Sequence, residues 1–417
     1  MKNRSAIYLL LLANTITGVA QGVAMLAVPW YFTGIIHRSA LFGKIYFTVT
    51  CISLVWGMYA GALIDRYDRR KIFLFTNLFG FAVSSIVSLV GFVADGLHWA
   101  WPALVFASTA FIYNIHFPNL YAYAQEITDK HDYARVTSLL EIQGQIAFTI
   151  SGGLAALLLH GYRGEMHLPL TRYPIEIYLP AWKIHEIFSL GIAAYMITLV
   201  LIWRIRALPA GERKTDTGRL RHRLAAGIGY LRSHVAMLHF GNASLLVFLT
   251  ILVFGTYVST LYVNDYLRMG GDVYALSDMA FSAGALLAGI ITTRIFKEKD
   301  AVRGIIALSA LSGIMYLTML THHSARMFYA ANFVIGSCNA SIRIQRVTYM
   351  FHHVPNHIIG RTGSIFFMLN VFLRLCLIGF LSQPFFHRDT NVVYAVCIMA
   401  VICFAGALIL WWIREEL

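Results

Sequence analysis

The chain has 417 residues, 58% of them hydrophobic and only 13% charged, with 33 Lys and Arg against 20 Asp and Glu and a formal charge of +13. A soluble domain of this length carries about twice that share of charge. Its apolar residues come in blocks of roughly 20, the length with which an α-helix crosses ~30 Å of hydrocarbon, so composition excludes a soluble enzyme and indicates an all-α integral membrane protein.

Lys2 and Arg4 precede an apolar run from Ala6 to Phe32. The run is too long for a signal-peptide core and lacks a small-residue cleavage pattern, so it reads as the first span. Twelve transmembrane helices are predicted, at 6–33, 41–64, 72–94, 99–124, 136–160, 184–204, 238–263, 274–295, 302–321, 326–350, 360–383 and 391–413. The external segment from Gly161 to Lys183, with Tyr162, Tyr173 and Tyr178, reads as a surface loop in preference to a lid. The one long connection runs from Ile205 to about His239, polar at first (GERKTDTGRLRHR) and then amphipathic (LAAGIGYLRSHVAML), as in a helix lying on a membrane surface. It divides the chain into an N-terminal six-helix bundle (1–204), a linker (205–237) and a C-terminal six-helix bundle (238–417).

With both termini in the cytoplasm, 22 of the 33 Lys and Arg lie inside, 8 lie outside and 3 fall within spans. That bias sets the expected topology, multi-pass in the inner (cytoplasmic) membrane, and leaves the positive charge with no need of a nucleic-acid partner. Trp99, Trp101, Trp182, Trp203, Trp411 and Trp412 mark the interfaces. Cys51, Cys338, Cys376, Cys397 and Cys403 all sit in apolar blocks and are expected as reduced, packed thiols.

An internal repeat supports the two halves. GALIDRYDRRK (61–71) leaves span two and GIITTRIFKEK (289–299) leaves span eight, 228 residues later; Arg135-Val-Thr-Ser138 opens span five and Arg361-Thr-Gly-Ser364 opens span eleven, 226 residues on. Near-equal offsets at equivalent places are the mark of paired, pseudo-symmetric bundles.

Gly61 to Lys71 resembles the loop signature of the major facilitator superfamily, G-x-L-x-D-R-x-G-R-[RK]-[RK], with Asp68 standing where glycine is usual. The resemblance implies two six-helix bundles that rock about a midplane site, and a gating role for Asp65, Arg66 and Arg69, against the plainer reading of these charges as topology signals. TITGVAQGVAMLAVPWYF (15–32) and His353 to Arg361 are similar to the branch that holds macrolide-efflux proteins and the enterobactin (siderophore) exporter. Two departures matter. Gln21 replaces that branch's span-one aspartate, and Phe148-Thr149 replaces the Gly-Pro of the antiporter pattern in span five. Both weaken direct transfer of proton antiport, and protons remain one candidate coupling ion.

Ionisable groups in a bilayer cost at least ~2.5 kcal/mol each, so each is a candidate. Arg374, about 14 residues into span eleven, and Arg343, deep in span ten, are candidate substrate ligands, because a guanidinium fork suits carboxylate or phosphate. Arg346 follows Arg343 by one turn, and pairing with helix carbonyls or an internal acid is the structural alternative for all three. Glu141 reads as a gating acid or, in preference, as a structural partner of Arg135 or Arg346; Arg361 opens span eleven as Arg135 opens span five. His116, among Tyr113, Asn114, Pro118 and Asn119, is a substrate or coupling candidate, against the commoner hydrogen-bonded core histidine. Gln21 at mid-depth of span one reads as cavity-facing together with Asn14, with interhelical glue as the alternative. His352, His353 and His357 lack the spacing and acidic neighbours of a metal site.

No Walker loop, zinc motif or nucleophile elbow occurs, so no cofactor, metal or catalysis is expected. The expectation is a secondary transporter working by alternating access. It exports a small organic solute, with an anionic, carboxylate-rich siderophore favoured over a cationic drug, and acts as a monomer among membrane lipids. Import of such a siderophore, a lysophospholipid flippase on the same fold, and a non-transporting sensor or scaffold are the alternatives.

Overall fold

The computed structural model describes residues 4–128, 132–166, 175–205, 220–295, 301–355, 359–388 and 390–416. The described residues divide into two compact units. One comprises Met1–Arg38, Val55–Lys214 and Met269–Met279, the other Ser39–Leu54, Thr215–Arg268 and Ala280–Leu417.

The first unit is built on α1 (Arg4–Trp30), α3 (Arg69–Ala94), α4 (Ala100–Glu126), α5 (Tyr133–His160) and α6 (Ile184–Arg204). It shares α2 (Ser39–Arg66) with the second unit. Between α5 and α6, where a plain surface loop was expected, β1 (Tyr162–Met166) pairs antiparallel with β2 (Ile175–Leu179), Tyr162 opposite Leu179. Asp68 has an extended backbone and accepts a hydrogen bond from the Lys71 amide at 2.8 Å, so it is the N-cap of α3. That gives its place in the loop signature a physical role. At the other end of α3, Asp95 takes the left-handed conformation (φ 51°) and meets the Lys183 ammonium at 2.5 Å. Both side chains are largely exposed, and the hydrogen bond from Lys183 holds the Asp95 carboxyl below the usual carboxylate range. Ile7, Leu10, Phe73, Leu120, Val136 and Ile202 form one buried apolar cluster of this unit.

The second unit contains α7 (Leu220–Ser233), α8 (Val235–Ala243), α9 (Leu246–Val253), α10 (Ser259–Leu261), α12 (Ala301–Thr321), α13 (Ala325–His353), α14 (Ile359–Leu381) and α15 (Val392–Ile413). It shares α11 (Gly271–Ile295) with the first. The expected amphipathic surface segment is split between α7 and α8. Expected span seven is not one regular helix. It turns at Ser244 and Leu245 and then widens into π-helical turns at Phe254–Val258 and Tyr262–Leu267, a kind of distortion common at functional sites. An aromatic core of Phe254, Tyr262, Tyr316 and Phe328 packs beneath it. α11 and α13 cross at reciprocal glycines: a Cβ on Gly284 would lie 2.0 Å from the Phe333 carbonyl oxygen, and one on Gly336 2.0 Å from that of Phe281. Small residues let helix backbones approach this closely.

The shared helices are divided lengthwise. The first half of α2 packs within the second unit, where Tyr46 donates to the Leu252 carbonyl and Gly43 lies under the Tyr257 hydroxyl. The first turns of α11 pack within the first unit. There Tyr274 stacks on Trp30 with ring centroids 6.2 Å apart, and Gly152 of α5 abuts the backbone at Ala275 and Met279. Nine helices among the described residues are long and apolar enough to cross a membrane by length and composition. α4 and α13 are long enough as well, but they carry polar groups such as Asn114, His116 and Asn119, or Arg343, Gln345 and Arg346, along their length. The expected count of twelve spans is therefore matched in part, at nine.

Candidate functional site

Polar side chains in the first unit are largely spent on one another. Gln21 is buried and donates to the Tyr195 hydroxyl at 3.0 Å. Asn14 donates to Gln143, while His116 Nε2 and Asn14 Oδ1 lie 2.6 Å apart. His116 is buried with its ring edge-on to Phe73, so it sits as the hydrogen-bonded core histidine of the structural alternative. Gln21 and Asn14 likewise hydrogen-bond to side chains of other helices. Asn114 donates back to the Ala110 carbonyl, and half-buried Tyr113 packs on Phe117. Glu141 accepts from the Tyr121 hydroxyl at 2.7 Å, a partner not anticipated for it.

The loop arginines fasten helix ends. Arg69 donates to the Ala122 carbonyl and pairs with Glu126 at 3.1 Å, both at the end of α4. Arg70 reaches the carbonyls of Ile202 and Trp203 at the end of α6. Cations are favourable at helix C-termini, where carbonyls lack intrahelical partners. Arg66 is exposed over the Tyr67 ring. The side chains of Asp65, Arg135 and Arg361 lie outside the described residues.

The second unit holds the candidate site. Where α8 gives way to α9, the regular hydrogen-bond ladder is interrupted, and two side chains answer it. Arg346 of α13 donates to the Ser244 carbonyl, and Asn370 of α14 donates to the Leu245 carbonyl, both at 3.4 Å. The Leu245 carbonyl also accepts from the Leu249 amide at 2.9 Å, so Asn370 adds a second partner there while Arg346 supplies one at Ser244. Beside the break lies a cleft of 340 Å³ whose apolar wall includes Phe248, Val347, Met350, Phe366 and Phe367 and whose one charged lining residue is Arg346. Phe366 seats its ring against Gly241 of α8, where a Cβ would come within 2.2 Å of it. One long hydrogen bond occupies little of a guanidinium with five donors. Arg343, one turn away and exposed, adds its positive charge to that of Arg346. Among the described residues no carboxylate pairs with Arg346, so the structure brings it to the site as a carbonyl partner and as a wall charge together. Arg374 stands farther along α14, within electrostatic reach of Tyr46, with its Nε buried and unpartnered.

Asp278 was missed from the sequence. It lies seven residues into α11, its charge reaches Tyr113, and it has no hydrogen bond or ion pair among the described residues. An acid only four residues inside an apolar block was the available signal. Among the described residues no group of three or more His, Cys, Asp or Glu could hold a metal.

The family model described as Major Facilitator Superfamily matches residues 10–375. Macrolide efflux protein A of Streptococcus pyogenes is 21% identical over 299 residues, which cover 68% of this chain and 65% of that protein, just under two thirds of the relative's length. The staphyloferrin A transporter of Staphylococcus aureus is 20% identical over 413 residues, 99% of this chain and 96% of that protein. Among solved structures, a D-xylose-proton symporter matches with a TM-score of 0.70 at 12% identity over 99% and 98% of the two chains. The nucleoside transporter NupG matches with 0.69 at 12% identity over 98% and 99%. At such identities the structural likeness is one of fold.

Proposed function

The chain belongs to the Major Facilitator Superfamily and is a multi-pass membrane transporter; from that premise we propose that it exports a small organic anion, a carboxylate-rich siderophore in preference to a cationic drug. The observation that carries this reading is the cleft beside the α8–α9 break, apolar but for the Asn370 amide and one guanidinium that no carboxylate neutralises among the described residues. A cation so placed repels a cationic drug and pairs with an acidic group, while the phenylalanines take the solute's apolar surface. The relatives named for macrolide efflux and for staphyloferrin A transport support a drug or siderophore as solute, and the former supports export. Alternating access moves that solute, with the Lys and Arg bias placing both termini in the cytoplasm of a cell whose inner membrane holds the protein. Arg66 and Arg69 then belong to the cytoplasmic end, where Arg69 steadies α4 for gating.

The test is flux of an iron-free citrate-type siderophore in everted and right-side-out vesicles, for the natural protein and for Arg346→Ala. Uptake into everted vesicles that Arg346→Ala reduces about tenfold is the expected result. Flux in right-side-out vesicles alone would replace export by import. A macrolide transported in preference to the siderophore, with Arg346→Ala indifferent, would overturn the anionic reading.

A further inference from the structure

The face of α14 that lines the cleft does not end there. Gly363, Phe367 and Asn370 line it, and Arg374 follows Asn370 by one turn, so the four residues at spacings of 4, 3 and 4 form one stripe. We propose that the substrate is gripped at two points, by Arg346 in the cleft and by Arg374 beyond it, and that it is accordingly an elongated molecule with a carboxylate near each end. This rests on the cleft being the substrate site.

Three observations bear on it. Arg374 has no hydrogen bond and no carboxylate partner among the described residues, and its Nε is buried without any partner. A guanidinium inside a span without an anion is costly, and an anionic ligand group offsets that cost. The neighbouring hydroxyl that its charge reaches, on Tyr46, already donates to the Leu252 carbonyl and offers no negative charge at neutral pH. The spacing also bears on length. Arg346 and Asn370 reach the carbonyls of consecutive residues, Ser244 and Leu245, and Arg374 follows Asn370 along α14 by one turn, ~6 Å. Planar carboxylates suit both forks, and the stretch between them passes Phe367, so the linker of the molecule tolerates apolar groups.

The experiment is calorimetric binding to the full-length protein in nanodiscs. The probes are α,ω-dicarboxylates of graded length, the matching monocarboxylate monoamides, and diamines as a negative arm. In the natural protein the second carboxylate is expected to raise affinity about tenfold, with the gain peaking at one length of the series. Arg374→Gln, which keeps polarity and most of the size, is expected to reduce each diacid to its monoacid's affinity while monoacid binding stays as it was. Arg346→Gln weakens diacids and monoacids alike. A diacid with no advantage in the natural protein, or an Arg374→Gln that weakens mono- and diacids equally, would overturn two-point recognition and leave the anionic cleft standing. If Arg346→Gln changes neither, the cleft is not the substrate site and both readings fall. Unfolding temperatures within a few degrees of the natural protein's exclude misfolding as the source of either loss, and an Arg374→Lys variant that restores part of the diacid increment supports a charge contact over a packing one.

Discussion

One imidazole ties the start of α2 to the rest of the second unit. His387, in the short 3-10 turn after α14, has Nδ1 2.9 Å from the Ser39 hydroxyl and Nε2 2.8 Å from the Tyr257 hydroxyl. His387→Ala removes both hydrogen bonds, each worth about 0.5–1.5 kcal/mol net. The Ser382 hydroxyl also bonds that of Tyr257, so Tyr257 keeps a partner and the loss falls in the lower part of the range, ~1–2 kcal/mol. Opening of this contact then becomes ~5- to ~30-fold more frequent. Amide hydrogen exchange of the segment Ser39–Leu54 reads that factor directly, with exposed His352→Ala as the control. The pH dependence has a definite sign. Burial holds the His387 imidazole below its usual value, so the packed state favours the neutral ring. Tyr257 is the other titratable group against the ring, and a hydrogen bond to the Leu381 backbone works against the shift without reversing it. The contact is therefore at full strength above the ordinary histidine value of about 6.5 and is lost as pH falls through the lower, packed-state value. Exchange of Ser39–Leu54 that stays within about twofold in His387→Ala, or that becomes slower in acid after correction for intrinsic rates, would refute the reasoning.

Other outcomes follow from the same structure. Gly336→Ala places a methyl 2.0 Å from the Phe281 carbonyl oxygen, a rigid backbone atom, so α11 and α13 must separate; a loss of about 1–3 kcal/mol is expected, seen as a fall of several degrees in the unfolding temperature. At the α3 N-cap, Asp68→Gly, which restores the residue usual in the loop signature, is expected to cost only a few tenths of a kcal/mol, whereas Asp68→Ala costs about 1 kcal/mol in thermal unfolding. Asp278→Asn keeps the volume and removes the charge beside Tyr113. The protein is expected to unfold at an unchanged temperature but to lose flux driven by an imposed pH gradient; undiminished gradient-driven flux would remove Asp278 from coupling.

What the sequence makes legible here is set by how local the physics is. A span is a local property, so predicted 302–321 and 391–413 meet α12 at Ala301–Thr321 and α15 at Val392–Ile413 within a residue or so. The interruption at Ser244 and Leu245 has no such local mark. Its flanks, VAMLHFGNA and LVFLTILV, are largely apolar, and the side chains that meet it, Arg346 and Asn370, lie about 100 and 125 residues away in the chain. Arg346 shows how the two readings of a buried cation converge. From sequence, binding a helix carbonyl and facing a substrate are rivals; at an interrupted helix the same guanidinium does the first with one donor while it also lines the cleft, so the first does not exclude the second. Gln21 went the other way, because Tyr195 lies within reach and takes its amide. Polarity inside a span therefore marks where a chain has something to satisfy. Whether another helix or a solute satisfies it depends on partners that only the folded packing brings near: Asn14, Gln21 and His116 find theirs on other helices, whereas Arg374 and Asp278 find none among the described residues and Arg346 one long hydrogen bond.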